Sequence, residues 1–239
     1  SRSVRLLLWL LSYILRELAH EKDMKGLKVC VTAGPTRETI DPVRFISNRS
    51  TGKMGFALAK NAMERGADVT LVSGPVELKD VPFVKMVHVE SARQMFEAVT
   101  KEAETADIIV KAAAVADYRP AVVADEKIKK KDGDMSIALE RTDDIIGTLG
   151  KTKRDNLFLC GFSMETEHML ENSKAKLEKK NLDMIIANNV KVKGAGFGTD
   201  TNVVTLITKD EIKELPIMSK EDVADEIFNN ILANRKGIV

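Results

Sequence analysis

The chain has 239 residues, a length that suits one large domain or two small ones. Hydrophobic residues make up 44% of it and charged residues 31%, the balance of a globular protein with a buried core. Lys and Arg total 37 against 36 Asp and Glu, and this net charge of +1 excludes a generic binder of nucleic acid or anionic membranes. Two cysteines, Cys30 and Cys160, and three scattered histidines form no zinc motif or disulfide framework, which favours a reduced, cytoplasmic compartment.

The first 25 residues differ in character from the rest. Arg2 and Arg5 precede an apolar stretch, Leu6–Leu11 and then Tyr13–Leu15, which is shorter than the ~20 residues that a membrane span needs. A signal peptide has a similar basic and apolar order, but a cleavage site of small residues does not follow. We expect residues 1–25 to form a linker or docking helix, with a targeting signal as the alternative.

From Lys28 onward, strand-like and helical segments alternate in chain order. This alternation predicts an α/β fold, a Rossmann-like, mostly parallel sheet with helices on both faces and a late antiparallel hairpin. No internal repeat or linker follows Lys25, so residues 26–239 are expected to form one domain. The predicted strands are 28–33, 68–73, 85–89, 107–113, 135–139, 157–161 and 183–186, the hairpin is 203–208 with 212–215, and the helices are 52–65, 92–104, 167–180 and 220–235.

Ligands of such sheets bind at the carboxyl ends of strands, and the loop after the first strand is the first candidate. It lacks the GxGxxG pattern of dinucleotide-binding proteins, and Gly52-Lys53 lacks the earlier glycine of a P-loop. What remains is a polar approach, Ser50-Thr51-Gly52, to a helix N-terminus, where free N–H groups favour phosphate. The alternative is an ordinary helix cap.

Three more segments carry candidate chemistry. The alanines Ala112–Ala114 would let a ligand approach a strand end beside Asp117, unless they serve only tight packing. The lysine-rich segment Asp125–Gly133 suits a lid over a phosphate, although a charge run is more often a solvated face. Phe162 could stack on a planar ligand or belong to the core.

Helix 167–180 adds a pair of cations. Lys176 and Lys180 are four residues apart and therefore share one helix face. Such pairs are mostly exposed to solvent, so the pair alone indicates little.

Together these motifs resemble the phosphopantothenoylcysteine synthetase family, the ligase domain of the bacterial bifunctional coenzyme A biosynthesis flavoprotein. The resemblance rests on ordered segments that include TAGPTRE, DPVRFISN, STGKMG, AAVADYRP, EKIKK and KL..KNLD, and it covers the chain from about Leu18 onward. It implies a CTP-dependent ligase that joins 4′-phosphopantothenate to L-cysteine through an acyl-cytidylate, with Mg²⁺ and without flavin in this chain. It also implies a homodimer with shared sites, fused to or associated with the flavin-dependent decarboxylase, and no nucleic-acid or membrane partner.

The resemblance also implies roles for individual residues. Asn48 and Lys127 would be catalytic, Lys127 as a lid lysine, and Arg44 would reach the site of the other subunit. The 4′-phosphopantothenate pocket would be formed by Arg44, Asn48, Ala113, Ala114 and Asp117. The nucleotide would contact Ala112, Ala113, Asp117, Lys127, Leu159, Cys160, Gly161, Phe162, Lys176 and Lys180.

Three points stay open. Lys111 stands where the family usually has a small or apolar residue, and the resemblance gives it no role. Gly161–Thr166 and Thr142–Ile145 also depart from the family pattern. A Rossmann oxidoreductase, disfavoured by the missing glycine motif, and a catalytically silent binding domain are the alternative functions.

Overall fold

The computed structural model describes residues 2–130, 134–164, 169–188 and 198–235, with the side chains of Arg2, Arg5 and Met169 left out. The helices are α1 (Arg2–Leu18), α2 (Lys53–Glu64), α3 (Ala92–Ala103), α4 (Ile145–Lys151), α5 (Met169–Lys179) and α6 (Lys220–Asn234). The strands are β1 (Lys28–Ala33), β2 (Arg37–Thr39), β3 (Phe45–Ser47), β4 (Asp68–Ser73), β5 (Lys85–His88), β6 (Ile108–Lys111), β7 (Tyr118–Pro120), β8 (Leu139–Arg141), β9 (Phe158–Met164), β10 (Met184–Asn188), β11 (Thr201–Asn202), β12 (Val204–Thr208), β13 (Ile212–Glu214) and β14 (Met218–Ser219).

Eight strands form one sheet in the order β13-β12-β10-β9-β6-β1-β4-β5. The pairs from β10 to β5 are parallel, whereas β12 runs antiparallel to β10, and β13 pairs antiparallel with β12. This confirms the predicted α/β, Rossmann-like sheet with a late antiparallel hairpin. The central strands are apolar on both faces, as expected for a sheet that is covered on both sides.

The two faces of the sheet bury separate sets of side chains because successive residues of a strand point in opposite directions. Val29 and Val31 of β1 pack with α2 and α6 on one side, which we call the α2/α6 face. Cys30, between them, packs with residues of α3, α4 and α5 on the other side, the α4/α5 face. The carboxyl ends of the parallel strands therefore form an edge between two helical layers.

Three short ribbons lie outside the main sheet: β2 with β3, β7 with β8, and β11 with β14. The prediction of a strand over 135–139 is wrong in place and in role. The strand there is β8, which pairs with β7, and its three residues are all exposed, so it has no apolar face to bury against a helix. The short helix α4 begins after Asp144, whose side chain accepts a hydrogen bond from the N–H of Gly147.

The predicted docking segment forms helix α1. Lys22 joins its end to α2, since the ammonium donates hydrogen bonds to the carbonyl oxygens of Arg16 and Glu64. Within the described ranges, none of the helices combines the length and apolar character that crossing a bilayer requires.

Candidate functional site

A cleft of about 690 Å³ lies along the carboxyl edge of the sheet, where β1, β6, β9 and β10 end. Its lining combines small residues that expose backbone with cationic and amide side chains. The described residues that line it are Ser47, Asn48, Arg49, Ser50, Thr51, Gly52, Lys53, Met54, Gly55, Lys111, Ala112, Ala113, Ala114, Val115, Asp117, Phe162, Ser163, Met164, Asn188, Asn202 and Lys220.

Two glycines lie close together where β1 ends and α2 begins, and one of them, Gly52, lines the cleft. Gly34 follows β1 with φ 75° and Gly52 precedes α2 with φ 80°, a left-handed backbone that favours glycine. A Cβ at either position would lie 2.8 Å from the same atom, Cγ1 of Val76. The strand end and the helix start can therefore approach each other closely, which brings the N-terminus of α2 to the cleft.

The α2/α6 end of the cleft holds two lysines that already have partners. Lys53 forms a 2.6 Å ion pair with Asp200, and this hydrogen bond lowers the pKa of the Asp200 carboxyl. Lys220 is buried and donates hydrogen bonds to the carbonyl oxygens of Thr199 and Thr201. Burial and the nearby Lys53 lower the pKa of Lys220. This end presents fixed positive charge.

The α4/α5 end is organised differently. Lys111, the last residue of β6, is half-buried, and among the described residues its ammonium has no hydrogen bond or ion pair. Burial lowers its pKa, and the nearby charge of Lys180 lowers it further. Lys180 itself pairs with Asp144 at 2.9 Å, and although burial opposes the shift, this contact lowers the pKa of Asp144. The charges of Asp117 and Asp144 raise the pKa of Lys111 in turn, but neither carboxylate forms an ion pair with it, so a bound anion would be its first direct partner among the described residues.

Lys111 also marks the junction with a second cleft of about 330 Å³. Asp117 and Val115 line both clefts, and the second one continues along Thr142–Ile145 to Lys180. The two spaces form a groove that passes over the sheet edge from one helical layer to the other.

An amide on β10 is the third unusual feature. Asn188 is buried, lines the main cleft, and has an Oδ1 atom without a hydrogen-bond partner among the described residues. A buried acceptor without a donor costs free energy, and native structures hold few of them. We interpret this atom as an acceptor for a ligand N–H or hydroxyl.

Six of the residues implied by the resemblance line this cleft: Asn48, Ala112, Ala113, Ala114, Asp117 and Phe162. Asn48 is exposed, and its Nδ2 donates a 3.0 Å hydrogen bond to the carbonyl oxygen of Ala114. The N–H of Ala113 donates to Thr32 Oγ1 at 3.1 Å, which fixes the strand end.

The four residues 159–162, all expected to contact the nucleotide, lie in different environments. Phe162 reaches the cleft, whereas Leu159 and Cys160 are fully buried in the two core layers. A Cβ on Gly161 would meet the side chain of Ile146 at 2.5 Å, so this glycine serves packing between sheet and helix. Burial raises the pKa of the Cys160 thiol well above its ordinary value.

The lysine pair on α5 is split between two partners. Lys176 donates a 3.2 Å hydrogen bond to Ser163 Oγ, whereas Lys180 lies against Asp144 in the second cleft. Of the rest of the strand-end motif, Glu165 and Thr166 lie outside the described residues.

Arg44 contacts the predicted lid segment through the backbone of Ile128, the residue after Lys127. Arg44 forms an ion pair with Asp41 and donates a 2.9 Å hydrogen bond to the carbonyl oxygen of Ile128, next to Lys127. The Arg44 contact holds the pKa of Asp41 well below its ordinary value, and Asp41 also accepts from the N–H of Ile128 at 3.1 Å. Lys127 is exposed and does not line the cleft. The remainder of the lid, 131–133, lies outside the described residues.

Sequence reasoning missed Asn188 and Lys220 as site residues. Asn188 lies at the end of β10, which extends two residues beyond the predicted strand, and the loop after it was not among the candidate loops. Lys220 directly follows the helix cap Ser219, a position that carries no ligand signal of its own. The end of the predicted strand 183–186, another carboxyl end at the same edge of the sheet, was the signal available for Asn188.

Comparisons with known proteins match almost the whole domain. A family model described as the C-terminal domain of the DNA/pantothenate metabolism flavoprotein matches residues 24–234. The coenzyme A biosynthesis bifunctional protein CoaBC of Bacillus subtilis is 52% identical over 216 residues, which are 89% of this chain and 53% of that protein. A protein named cysteine/cysteine sulfinic acid decarboxylase, from an unknown prokaryote, is 45% identical over 93% of this chain and 62% of its own length. The chain thus spans about half to three fifths of these relatives.

Two solved structures extend the comparison. The C-terminal domain of a CoaBC protein has a TM-score of 0.75 and 44% identity, and the alignment covers 87% of this chain and 95% of that one. A Cab2 mutant in complex with phosphopantothenate-cysteine has a TM-score of 0.71 at 16% identity, with 95% of this chain and 90% of that one covered. The second likeness shows a shared fold.

These matches correct the expected family and activity. The family is described as a flavoprotein domain and one relative is named a decarboxylase, whereas none of the proteins compared above is named a ligase. The assignment to the phosphopantothenoylcysteine synthetase family is corrected accordingly. The CTP-dependent ligase activity and the acyl-cytidylate chemistry lose their support with it. Coenzyme A biosynthesis is the part of the expectation that the relatives' names retain.

The cofactor expectation of Mg²⁺ with CTP and no flavin is corrected too, because the family description names a flavoprotein. Among the described lining residues, the cleft offers little of the planar or apolar surface on which the tricyclic ring of a flavin mononucleotide would stack. Phe162 is the one aromatic side chain among the described lining residues. In the parts of the chain that the structure describes, no group of three His, Cys, Asp or Glu side chains could hold a metal ion either.

Proposed function

Because this chain belongs to the family of C-terminal domains of the DNA/pantothenate metabolism flavoprotein, we propose that its cleft binds phosphopantothenoylcysteine within coenzyme A biosynthesis. This ligand is a flexible chain with a phosphate at one end and a carboxylate at the other. Two observations outside the cleft support it: the names of the CoaBC relatives and the ligand of the Cab2 mutant that shares the fold.

The observation that carries the proposal is the placement of cations at both ends of one cleft. Lys53 and Lys220 lie on the α2/α6 side, next to a helix N-terminus without a side-chain cap. Lys111 lies on the α4/α5 side. Free N–H groups and fixed ammonium groups favour phosphate, so we assign the phosphate to the first end. The carboxylate would then neutralise Lys111.

The middle of the cleft supplies neutral hydrogen-bonding groups. The unpartnered Oδ1 of Asn188 would accept from an amide N–H or hydroxyl of the pantothenoyl stem. Asn48 already donates a hydrogen bond to the carbonyl oxygen of Ala114. It would keep this bond when the ligand binds, and so hold the segment after β6 in place. These groups orient the ligand between its charged ends.

Decarboxylation is a second candidate activity, favoured by the name of the unknown prokaryote's protein. It would require the ligand carboxylate to lose CO₂. An ammonium beside that carboxylate stabilises its charge, and therefore stabilises the ground state against the loss. The charge of Lys111 thus favours binding of the carboxylate over its removal, and we place binding first.

The experiment is a calorimetric titration with three matched ligands. Phosphopantothenoylcysteine is compared with pantothenoylcysteine, which lacks the phosphate, and with 4′-phosphopantetheine, which lacks only the carboxylate. Each truncation should weaken binding about tenfold or more, because a hydrogen bond to a charged group contributes ~1.5–3 kcal/mol. Equal affinity for all three would refute two-ended binding.

Two additions sharpen the test. Asn188→Leu should weaken all three ligands by a similar factor of about 5–10, since it removes an acceptor that none of the truncations touches. The same samples are assayed for CO₂ release with and without flavin mononucleotide. Release by this chain would establish the second candidate.

The remaining expectations stay predictions. They are a homodimer with shared sites, a contribution of Arg44 to the neighbouring subunit, a closing movement of Lys127, and a cytoplasmic location.

A further inference from the structure

Helix α1 exposes far more apolar surface than any other element. Of the 22 large hydrophobic side chains exposed among the described residues, eleven belong to this one helix. Contiguous exposed apolar patches usually mark a surface that another molecule covers. A helix that is apolar on all sides is normally buried.

One side of α1 already has a partner in this chain. Trp9 and Tyr13 stack at 5.8 Å, and their rings lie 6.1 Å and 6.2 Å from that of Phe83. Arg16 lies over the Phe83 ring at 5.1 Å. Phe83 has φ 63°, a backbone conformation that is strained for a bulky residue, and the contact with α1 compensates for this strain. One side of α1 therefore packs on Phe83 in a defined orientation, and the opposite side faces away from the protein.

The outward side carries a regular stripe. Leu7, Leu11, Ile14 and Leu18 are spaced by four, three and four residues, so they lie in one row, opposite the side that carries Trp9 and Tyr13. Leu7 is 68% exposed and Leu18 is 78% exposed. Flanking leucines on both sides of the row are exposed as well, so a single straight partner helix would cover only part of the surface.

The relatives indicate what covers it. Helix α1 lies just before the region that matches the family, residues 24–234. The CoaBC structure that aligns over 95% of its length is a C-terminal domain, so a CoaBC protein carries further chain ahead of this region. In the Bacillus subtilis protein, the match leaves nearly half of the length unaccounted for. We propose that the Leu7–Leu18 stripe docks into the folded domain that precedes the matched region in such bifunctional proteins.

The partner of the Leu7–Leu18 stripe is thus a protein domain with an apolar groove, either on the same polypeptide or on a separate one. Its groove must be wide enough to take the flanking leucines, and it needs little charge, because the stripe itself carries none. This inference concerns the surface of α1 and stands independently of which ligand the main cleft binds.

The test uses this full chain and the separately produced part of the Bacillus subtilis protein that precedes its matched region. A cooperative urea-unfolding transition of that part first establishes that it is folded. Binding is measured by calorimetry for the unchanged chain, for the double variant Leu7→Gln with Leu11→Gln, and for the control Val122→Gln. Val122 is 81% exposed on a loop outside α1. Glutamine keeps the helix propensity of leucine while removing its apolar surface.

The expected result is binding by the unchanged chain and by the control, with at least tenfold weaker binding by the double variant. Trp9 is the only tryptophan, so an unchanged emission spectrum shows that α1 of the variant still packs on Phe83. Equal binding by the double variant, or no binding by the unchanged chain, would overturn the proposal. So would an α1-dependent dimer that the added domain does not dissolve, or α1-dependent binding to phosphatidylcholine–phosphatidylglycerol vesicles.

Discussion

The two ends of the main cleft both present lysines, but the lysines are held in opposite ways. On the α2/α6 side, Lys53 and Lys220 have protein partners that fix them in place. On the α4/α5 side, Lys111 has no hydrogen bond or ion pair among the described residues, and burial lowers its pKa. A partnered cation stabilises the fold and offers only its remaining charge to a ligand. An unpartnered one costs stability and gains most when a ligand arrives.

The largest expected effect is that of Lys111→Met. It should weaken phosphopantothenoylcysteine binding about 10- to 100-fold, because a charge-assisted hydrogen bond is lost. It should also raise the free energy of unfolding by about 1 kcal/mol, because a poorly compensated buried charge is removed. Calorimetry and urea unfolding measure the two quantities on one protein. A variant that loses stability together with affinity would show that Lys111 has structural partners.

Lys220→Met should shift stability in the other direction. The buried ammonium would no longer donate to the carbonyl oxygens of Thr199 and Thr201, although that of Thr201 keeps the hydrogen bond from Thr199 Oγ1. A typical hydrogen bond contributes about 0.5–1.5 kcal/mol. Urea unfolding should therefore show a lower free energy of unfolding with an unchanged denaturant slope. Lys220→Arg is the matched control, since it keeps charge and donors. Unchanged stability in the methionine variant would remove the contrast between the two ends.

The pH dependence of binding sharpens the contrast further. The free protein has its Lys111 pKa below the ordinary 10.5, and a bound carboxylate raises it. Binding therefore takes up a proton at alkaline pH, and the affinity falls as pH rises through the free-state pKa, by up to about tenfold per unit. Titrations from neutral to alkaline pH measure this slope. Lys111→Met should reduce this slope, and the part that persists should disappear in the double variant with Lys220→Met, because burial also lowers the pKa of Lys220.

The smallest effect is expected for Lys53→Met. Its partner Asp200 is 87% exposed, and exposed ion pairs contribute little, so the free energy of unfolding should be almost unchanged. Asp200→Asn removes the same pair from the other side and should match it. A clear loss of stability in both variants would mean that the pair holds the segment at 198–202 to α2.

The sequence revealed those site residues that lie next to each other in the chain. Ala113, Ala114 and Asp117 follow one strand, and the rule that ligands bind at strand ends was enough to find them. Asn188 and Lys220 are brought to the same cleft only by the order of strands in the sheet, which the local pattern does not contain. The missing charge partner of Lys111 is likewise a property of the assembled fold.

The same distinction holds for the secondary structure. Ser91 caps α3, and its capping box with Gln94 is a signal that the local sequence contains. The β7–β8 ribbon consists of two three-residue strands with mostly exposed side chains, so no periodicity announces it. Its pairing depends on distant parts of the chain. The resemblance seen in the sequence predicted the biosynthetic context correctly, because the relatives are named for coenzyme A biosynthesis. Its finer prediction of a ligase activity is not supported by the names of the relatives.

Val76 links the turn after β1 to the start of α2. One methyl group of this side chain occupies the space that a Cβ at Gly34 and a Cβ at Gly52 would each need. The three positions therefore share a single small volume, and a larger residue at any one of them would collide with a neighbour. Loss of the valine methyl would not release the glycines, because both have a positive φ and a Cβ at Gly34 would also lie 3.2 Å from the carbonyl oxygen of Gly74. Among homologous sequences we therefore expect both glycines to be kept and the residue at position 76 to vary only toward smaller side chains.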